Sequence, residues 1–291
     1  MATVLVTGAT GHAGRELARR ARSGGLEVRA LVLSDSQSNT AKRFGWTPVR
    51  GDLMHPDTLK AALAGTHFVI HSAAYLGSDL PTAREVNVEG TRSLARLAME
   101  AGIRRFVHIS TLSVHGDPMP SEVSEESPLA TTSPIPYCST KALAELALEE
   151  ARASGLETVV LRPGAICNVL RSQWGNEMVE NMLYRGWPED THPDDVIPWV
   201  HTSNLAEMTW LALTHPSAAN ETFIAIDRDV AVREFFVPVA DAMGLRVVRP
   251  DRPPALMKCQ LGKIGARLGY KPIYTFEQTM EALIALAKAS R

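Results

Sequence analysis

Short apolar runs alternate with amphipathic stretches along the first part of the chain. The runs TVLVTG, EVRALVL, THFVIHSAA, RRFVHIST and LETVVLRPG are rich in β-branched residues, which predicts strands. Between them, helical spacing of apolar positions is found in AGRELARRARSGG, HPDTLKAALAG, EVNVEGTRSLARLAMEAG and the stretch that begins at PYCSTK. Strands that alternate with helices indicate right-handed crossovers, so the pattern predicts an α/β fold whose parallel sheet is covered on both faces.

After residue 165 this alternation weakens. NVLRSQWGNEMVENMLYRGWPEDTHPDD shows little periodicity, whereas VIPWVHTSNLAEMTWLALTHP returns to a strand and a helix, and two further helical stretches follow. We therefore predict a main domain over 1–165, to which 196–226 return, and a smaller part made of 166–195 and 227–291. Trp174 and Met178 suit a packed core there, and as part of an irregular segment they also suit an apolar substrate site.

Composition and charge exclude several classes of protein. The 291 residues are 45% hydrophobic and 21% charged, which is ordinary for a globular protein. A formal net charge of −2 offers no basic footprint for nucleic acid. No apolar run approaches the roughly 20 residues that span a bilayer, and ATVLVTGATG has a strand pattern from residue 2, so neither a membrane span nor a leader peptide is expected. Three widely separated cysteines indicate free thiols in the cytoplasm, with neither a disulfide framework nor a metal site.

The strongest local motif is VLVTGATGHAG near the amino terminus. It places Gly8, Gly11 and Gly14 between a predicted strand and a predicted helix. A tight turn, a close approach of backbone to a pyrophosphate and close helix packing each require a residue without Cβ. Since the helix start offers unpaired N–H groups, this motif predicts a dinucleotide-binding loop.

A second motif, PYCSTK, follows a loop rich in Pro and Ser. Tyr137 and Lys141 are four residues apart and share one face of a predicted helix. Such a pair arises by chance often enough that the spacing alone is weak evidence of chemistry. The pair gains meaning only if the rest of the chain requires it.

These motifs, taken in order, resemble the extended branch of the short-chain dehydrogenase/reductase superfamily. TGATGHAG matches its TGxxGxxG form, and YCSTK matches YxxxK. Between and after them stand RGDLMHP, HSAA, NVEGT, HISTLSVHGD, LRPGAI and WVHTSNLAE, each similar to a family segment. The resemblance implies a Rossmann-type doubly wound parallel sheet with a smaller C-terminal substrate-binding part.

The resemblance also implies roles for single residues. Tyr137 would be the acid/base, Thr111 would orient the substrate oxygen, and Lys141 would contact the nicotinamide ribose. A free phenol has a pKa of about 10, and an ammonium with the positive nicotinamide would lower the pKa of Tyr137. Besides Tyr137 and Lys141, the implied cofactor-binding residues are Gly8, Thr10, Gly11, His12, Ala13, Gly14, Leu33, Ser34, Asp52, Leu53, Ser72, Ala73, Ala74, Asn87, Pro163 and Ile166. Candidate substrate contacts are Leu76, Leu112, Ser113, Trp174 and Met178.

The end of the second strand bears on the choice between NAD and NADP. Relatives that prefer NAD place an acid where this chain has Val32, and relatives that prefer NADP often place Arg where it has Leu33. The missing acid, together with Lys42 and Arg43 downstream, favours NADP, whereas Asp35 favours NAD if it reaches the ribose.

Two further positions depart from the family pattern. His115 replaces the usual Tyr, and we expect a packed or solvated loop histidine in preference to a pH-sensitive substrate contact. Asn204 replaces a common Asp that is usually structural.

Three functions fit these residues. The first is an NAD(P)-dependent dehydrogenase or ketoreductase acting on a small or apolar alcohol or ketone. The second is a nucleotide-sugar epimerase or dehydratase that retains NAD, for which Arg171, Arg185 and Arg233 are candidate diphosphate contacts. The third is a non-catalytic dinucleotide-binding regulator. By resemblance, a homodimer would form through the helices of EGTRSLARLAMEAG and STKALAELALEEARAS.

Overall fold

The computed structural model describes residues 1–290, which form twelve strands and eleven α-helices. The strands are β1 (Thr3–Thr7), β2 (Glu27–Val32), β3 (Thr47–Arg50), β4 (Phe68–His71), β5 (Arg105–Ile109), β6 (Glu122–Val123), β7 (Thr158–Arg162), β8 (Ala165–Cys167), β9 (Val196–His201), β10 (Thr222–Ile224), β11 (Arg228–Ala231) and β12 (Lys258–Cys259).

The helices are α1 (His12–Ser23), α2 (Asp35–Arg43), α3 (Pro56–Leu63), α4 (Leu80–Ala83), α5 (Gly90–Glu100), α6 (Pro136–Ala153), α7 (Asn176–Arg185), α8 (Thr202–Thr214), α9 (Val232–Met243), α10 (Lys263–Leu268) and α11 (Phe276–Ala289). A π-helical turn, Arg84–Glu89, joins α4 to α5, and short 3₁₀ helices span Leu112–His115 and Pro216–Ala218.

Seven strands form one parallel sheet in the order β10-β7-β5-β4-β1-β2-β3. The predicted Rossmann-type sheet is therefore confirmed. The strand order reverses at β1, which lies between β2 and β4. In open α/β sheets, ligands bind outside the carboxyl ends of the strands at such a reversal. The carboxyl ends of β1, β4 and β5 are thus where a site is expected.

Apolar side chains fill both faces of this sheet. Val4, Val6 and Val107 point into a cluster shared with α1 and α8, and Leu5 and Phe106 point into a second cluster shared with α3 and α5. Because both faces are covered, the strands read in the sequence as continuous apolar runs.

Among the elements that escaped the sequence analysis are β3 and α2, the two that follow β2. β3 is an edge strand of four residues, TPVR, with no fully buried position, so it lacks the apolar run that identifies the central strands. α2, with the sequence DSQSNTAKR, buries only Ala41 and therefore shows almost no apolar face.

The smaller C-terminal part contains a three-stranded sheet in the order β11-β9-β8. α7, α9 and α11 pack together beside it, and their shared core includes Trp199, Phe235 and Leu283. The exact division of the chain into 1–165 with 196–226, and 166–195 with 227–291, stays a prediction. None of the helices within residues 1–290 is both long and apolar enough to cross a bilayer.

Candidate active site

The glycine motif forms the turn between β1 and α1. Gly8 has φ of +67°, and a Cβ there would lie 2.9 Å from the backbone nitrogen of Ala73. A Cβ on Gly14 would clash with the carbonyl oxygen of Gly8. Gly11 precedes α1 without any side-chain cap, so the first N–H groups of this helix are left for another acceptor. This cradle fits the pyrophosphate of a dinucleotide.

Basic side chains flank this turn. Nη2 of Arg15 donates a hydrogen bond to the carbonyl oxygen of Thr10 at 3.1 Å. Burial and the nearby charge of Arg171 both lower the pKa of Arg15. Burial also lowers the pKa of His12, whose ring lies near the backbone of Ile166 and Arg171. Two guanidinium groups that repel one another beside an uncapped helix start provide a favourable place for a phosphate.

Arg50 at the end of β3 lies beside the end of β2. The sequence analysis did not consider this basic residue. Leu33 is 57% exposed, and Ser34 caps α2 by accepting from the backbone N–H of Gln37. Asp35 pairs with Arg50 of β3, with 3.3 Å between Oδ1 and Nη1. Lys42 and Arg43 lie in the last turn of α2, which is roughly 12 Å along the helix from Ser34. Arg50, whose Cα pairs with that of Val32, is therefore nearer to the end of β2 than Lys42 and Arg43.

Asp52 and Leu53 follow β3 at the edge of the sheet. The carboxylate of Asp52 accepts from the backbone N–H of Met54 at 3.0 Å and so organises the turn. Leu53 is buried against Gly90, where an added Cβ would come within 2.9 Å of the Leu53 Cβ. Their proposed contact with adenine stays a prediction.

A buried hydrogen-bond chain fixes the loop after β4. The backbone N–H groups of residues 72–73 donate to Oγ1 of Thr7, which contacts Nδ1 of His71 at 2.7 Å. Nε2 of His71 contacts Oγ1 of Thr91 at 2.9 Å, and Thr91 donates to the carbonyl oxygen of Asn87. Because the Thr91 hydroxyl donates elsewhere, His71 carries its proton on Nε2 and accepts from Thr7 at Nδ1. Burial, aided by the charge of Lys141, lowers the pKa of His71 to about 3, so this imidazole stays neutral.

Asn87 connects the same loop to the helix that carries the Tyr–Lys pair. Its Oδ1 accepts from the backbone N–H of Tyr75 at 2.7 Å. Its Nδ2 donates to the carbonyl oxygen of Tyr75 and to Oγ1 of Thr140 on α6, both at 3.0 Å. Ser72, Ala73 and Ala74 are thus held between β1 and α6, at the reversal of strand order.

Thr111, Tyr137 and Lys141 meet where β5 ends and α6 begins. Burial raises the pKa of Tyr137, and the nearby side chain of Thr111 opposes that shift. Burial therefore opposes the lowering that the sequence analysis assigned to Lys141 and the nicotinamide. Lys141 is only 2% exposed, and its Nζ donates to Nε2 of His108 at 3.0 Å and to the carbonyl oxygen of Ile109 at 2.9 Å. Burial lowers the pKa of Lys141 to about 8, although Glu145 opposes that shift.

The remaining predicted residues divide by location. Pro163, directly after β7, accepts from the backbone N–H of Leu112 at 2.8 Å, which holds the segment behind Thr111. Leu112 is buried, Ser113 is partly buried, and Leu76 is 74% exposed. Trp174 stacks obliquely on Phe236 at 6.1 Å between ring centroids.

Trp174 and Met178 line one apolar cavity of about 190 Å³, together with Gln173, Asn181, Met182, Pro188 and Phe236. A larger groove of about 660 Å³ runs between α9 and α11 and contains none of the predicted site residues. The described residues, 1–290, contain no cluster of three His, Cys, Asp or Glu side chains suited to a metal ion.

The two residues that depart from the family pattern, His115 and Asn204, are both buried and hydrogen-bonded within the fold. His115 donates from Nδ1 to the carbonyl oxygen of Pro128 at 2.9 Å, and its Nε2 lies 3.3 Å from Nη1 of Arg162. Its pKa is lowered chiefly by burial. Nδ2 of Asn204 donates to Oδ2 of Asp227 at 2.8 Å and to the carbonyl oxygen of Tyr274 at 2.7 Å.

Sequence reasoning missed four buried polar residues around the site: Thr7, His71, His108 and Arg162. Each stands at or near the carboxyl end of an apolar strand. A polar residue at that place in a fully buried strand is the signal that would have identified them, since a buried polar group needs a partner.

Comparisons with known proteins agree with this geometry. Residues 4–225 match the NAD dependent epimerase/dehydratase family. The chain is 28% identical over 288 residues to the 4-hydroxy-2-methyl-3-oxo-4-farnesyl-3,4-dihydroquinoline-1-oxide ketoreductase of Stigmatella aurantiaca, covering 98% of this chain and 83% of the relative.

A second relative has a different role. The photosystem II assembly factor Ycf39 of Synechocystis is 29% identical over 220 residues, covering 76% of this chain, which spans 61% of that relative's length. Among solved structures, a short-chain dehydrogenase/reductase superfamily protein from Agrobacterium tumefaciens with bound NAD is similar with a TM-score of 0.84 and 26% identity. That match covers 99% of this chain and 98% of the other.

Proposed function

The chain belongs to the NAD dependent epimerase/dehydratase family, and we propose that it is an oxidoreductase that transfers a hydride between NAD(P) and an alcohol or ketone. The observation that carries this proposal is the placement of the Tyr137 phenol near the side chain of Thr111, with Lys141 one helical turn away on α6. Thr111 follows β5, the ammonium of Lys141 bonds to the end of that strand, and the glycine turn lies at the end of β1. They therefore face the crevice at the reversal of strand order.

The glycine turn, Arg15 and the loop 72–74 would hold the dinucleotide, and the nicotinamide would supply or accept the hydride. In the reductive direction, Tyr137 donates its phenolic proton to the carbonyl oxygen of the substrate. Thr111 donates a hydrogen bond to the same oxygen and so orients it. Because burial raises the pKa of Tyr137, the phenol stays protonated at neutral pH, which suits the acid of a reduction.

An apolar group on the substrate is the second element of the proposal. The cavity beside α7 is lined by Trp174, Met178, Met182 and Phe236 and offers only two amide side chains, Gln173 and Asn181. The relative from Stigmatella aurantiaca is named as a reductase of a farnesylated ketone. Both observations favour an apolar ketone over a charged sugar nucleotide.

For the cofactor we propose NADP, with Arg50 and Ser34 at the ribose position. Asp35, whose carboxylate would repel a 2′-phosphate, already pairs with Arg50. A phosphate could take over that guanidinium in a charge-assisted contact. We also propose that the protein is cytoplasmic and that a homodimer forms through α5 and α6.

The test is reduction of apolar ketones by the purified protein with NADPH or NADH. We expect turnover that falls about 10²–10⁴-fold in Tyr137→Phe, because the proton donor is lost while the ring remains. Dinucleotide affinity should stay near that of the parent. Parent-rate turnover in Tyr137→Phe would overturn the proposal.

The same preparation distinguishes the two alternatives. A nucleotide-sugar epimerase or dehydratase would retain NAD through purification, whereas a reductase exchanges its cofactor. A non-catalytic dinucleotide-binding regulator would bind dinucleotide and turn over none of the ketones, in the parent as in Tyr137→Phe.

A further inference from the structure

One strand, β5, holds the ammonium of Lys141. Its two hydrogen-bond partners, Nε2 of His108 and the carbonyl oxygen of Ile109, are consecutive residues of β5. An ammonium has three N–H donors, so one donor remains for a further acceptor. The side chain of Lys141 is thus fixed before any ligand binds.

The contact also determines the tautomer of His108. Since a lysine ammonium can only donate, Nε2 of His108 accepts and the proton is on Nδ1. His108 is fully buried, and its Nδ1 has no partner among residues 1–290. An unsatisfied buried donor is unfavourable by about 1–3 kcal/mol. An apolar residue at this position in β5 would avoid that loss, but it would leave Lys141 with one acceptor.

The surroundings of His108 keep its imidazole neutral. His71 of β4 lies 5.1 Å from the His108 ring, between centroids, and uses both nitrogens in other hydrogen bonds. Glu145 follows one turn later on α6, and its charge is paired with Arg162 of β7. Burial, Lys141 and His71 together hold the pKa of His108 well below its ordinary value.

We propose that His108 is a positioning residue for Lys141, which accepts one of its N–H donors and leaves the ammonium aimed at the dinucleotide. The role of Lys141 in this inference rests on the proposed function. The contact between Lys141 and His108 does not depend on that function. His108 touches neither substrate nor cofactor in this proposal, and it acts only through the lysine.

The experiment compares His108→Phe with His108→Gln in dinucleotide titrations across pH 6–10. Phenylalanine fills the space but accepts nothing, so we expect cofactor affinity about tenfold weaker, in the range for losing one hydrogen bond to a charged group. The loss should begin at lower pH than in the parent, because the ammonium loses an acceptor. Glutamine can accept through its amide oxygen, and it should restore most of the affinity. His192→Gln, which removes a buried imidazole in the smaller part, is the matched control and should bind like the parent.

Equal binding by His108→Phe and the parent would overturn the proposal, and so would equal impairment of the Phe and Gln variants. If His108→Phe does not fold, nitrogen NMR of the histidines in the parent protein decides: the proposal requires His108 protonated on Nδ1 alone, and protonation on Nε2 would overturn it. Failure of the proposed function is recognised separately, by parent-rate turnover in Tyr137→Phe.

Discussion

Arg162 of β7 holds Glu145 of α6 in a buried ion pair, with 2.7 Å between Nη2 and Oε2. The two side chains are only 6% and 5% exposed. Ser110 donates to the same carboxylate, and Nη1 of Arg162 donates to the carbonyl oxygen of Glu125. This pair fixes α6 against the sheet one turn after Lys141, so it determines where the Tyr–Lys pair stands relative to β5.

Breaking this pair should destabilise the fold strongly. Arg162→Met leaves the carboxylate of Glu145 buried without its partner, which typically reduces the free energy of unfolding by about 3–5 kcal/mol. The double variant Arg162→Met/Glu145→Met removes both charges and should be more stable than Arg162→Met alone. Urea denaturation measures both changes, and a loss below about 1 kcal/mol in Arg162→Met would contradict the assignment.

Asn204 should not tolerate replacement by aspartate. Its Oδ1 accepts from the backbone N–H groups of Ile273 and Tyr274, which an aspartate could also do. Its Nδ2, however, donates to Asp227 and to the carbonyl oxygen of Tyr274. Asn204→Asp would replace that donor by a carboxylate facing the carboxylate of Asp227.

We therefore expect Asn204→Asp to lower the free energy of unfolding by about 2 kcal/mol or more at neutral pH. The loss should diminish in acid, where one of the two carboxyls becomes protonated. The double variant Asn204→Asp/Asp227→Asn restores a donor and an acceptor and serves as the control. Equal thermal stability of Asn204→Asp and the parent at pH 7 would show that this network is unimportant.

The sequence was sufficient for features that are local in the chain. Gly8 and Gly14 are diagnostic because their function depends on a turn of a few residues, and Tyr137 and Lys141 share a face because of helix geometry alone. The central strands were equally clear, since burial on both faces makes them continuously apolar.

The polar network beneath the site could not be derived in the same way. His108 meets Lys141 across 33 positions of sequence, His71 meets Thr91 across 20, and Arg162 meets Glu145 across 17. Periodicity does not indicate which strand lies beside which helix residue. For the same reason the pairing of Asp35 with Arg50 was missed, because it depends on β3 lying next to β2.

The glycine turn offers a graded pair of substitutions. Gly14→Ala would place Cβ against the carbonyl oxygen of Gly8, so the helix or the turn must move. A Cβ on Gly11 would lie 3.2 Å from the same oxygen, a smaller conflict within the fold, but it would intrude on a pyrophosphate in the cradle. We expect Gly14→Ala to lower the thermal stability more than Gly11→Ala, and both variants to bind dinucleotide at least tenfold more weakly than the parent. Parent-like dinucleotide affinity in a folded Gly11→Ala protein would mean that the pyrophosphate lies elsewhere.

Arg50 should influence cofactor preference. Arg50→Gln removes the guanidinium that we propose for the 2′-phosphate, so the affinity ratio of NADP to NAD should fall about tenfold, equivalent to about 1.4 kcal/mol. Asp35→Asn removes the competing carboxylate and should raise the ratio. Lys42→Gln, at the far end of α2, is the control and should leave it unchanged. An unchanged ratio in Arg50→Gln would exclude Arg50 from the site.

Lys141 should make the stability of the unliganded protein depend on alkaline pH. Its pKa is lowered from 10.5 to about 8 in the folded chain, chiefly by burial. Below pH 8 the lysine is charged in both the folded and the unfolded state, and the folded state bears the full penalty of a buried charge. Between pH 8 and 10.5 the unfolded chain binds more protons, so stability rises with pH.

Lys141→Met lacks this penalty at every pH. The free energy of unfolding of the parent, relative to Lys141→Met, should therefore increase by about 3 kcal/mol between pH 7.5 and 10.5. Other titrating groups are common to both proteins and cancel in the difference. Bound dinucleotide should reduce the slope, because a contact with the charged form raises the pKa of Lys141 again. Denaturation of both proteins across this range is the measurement, and parallel stability curves would show that Lys141 is not buried as a charge.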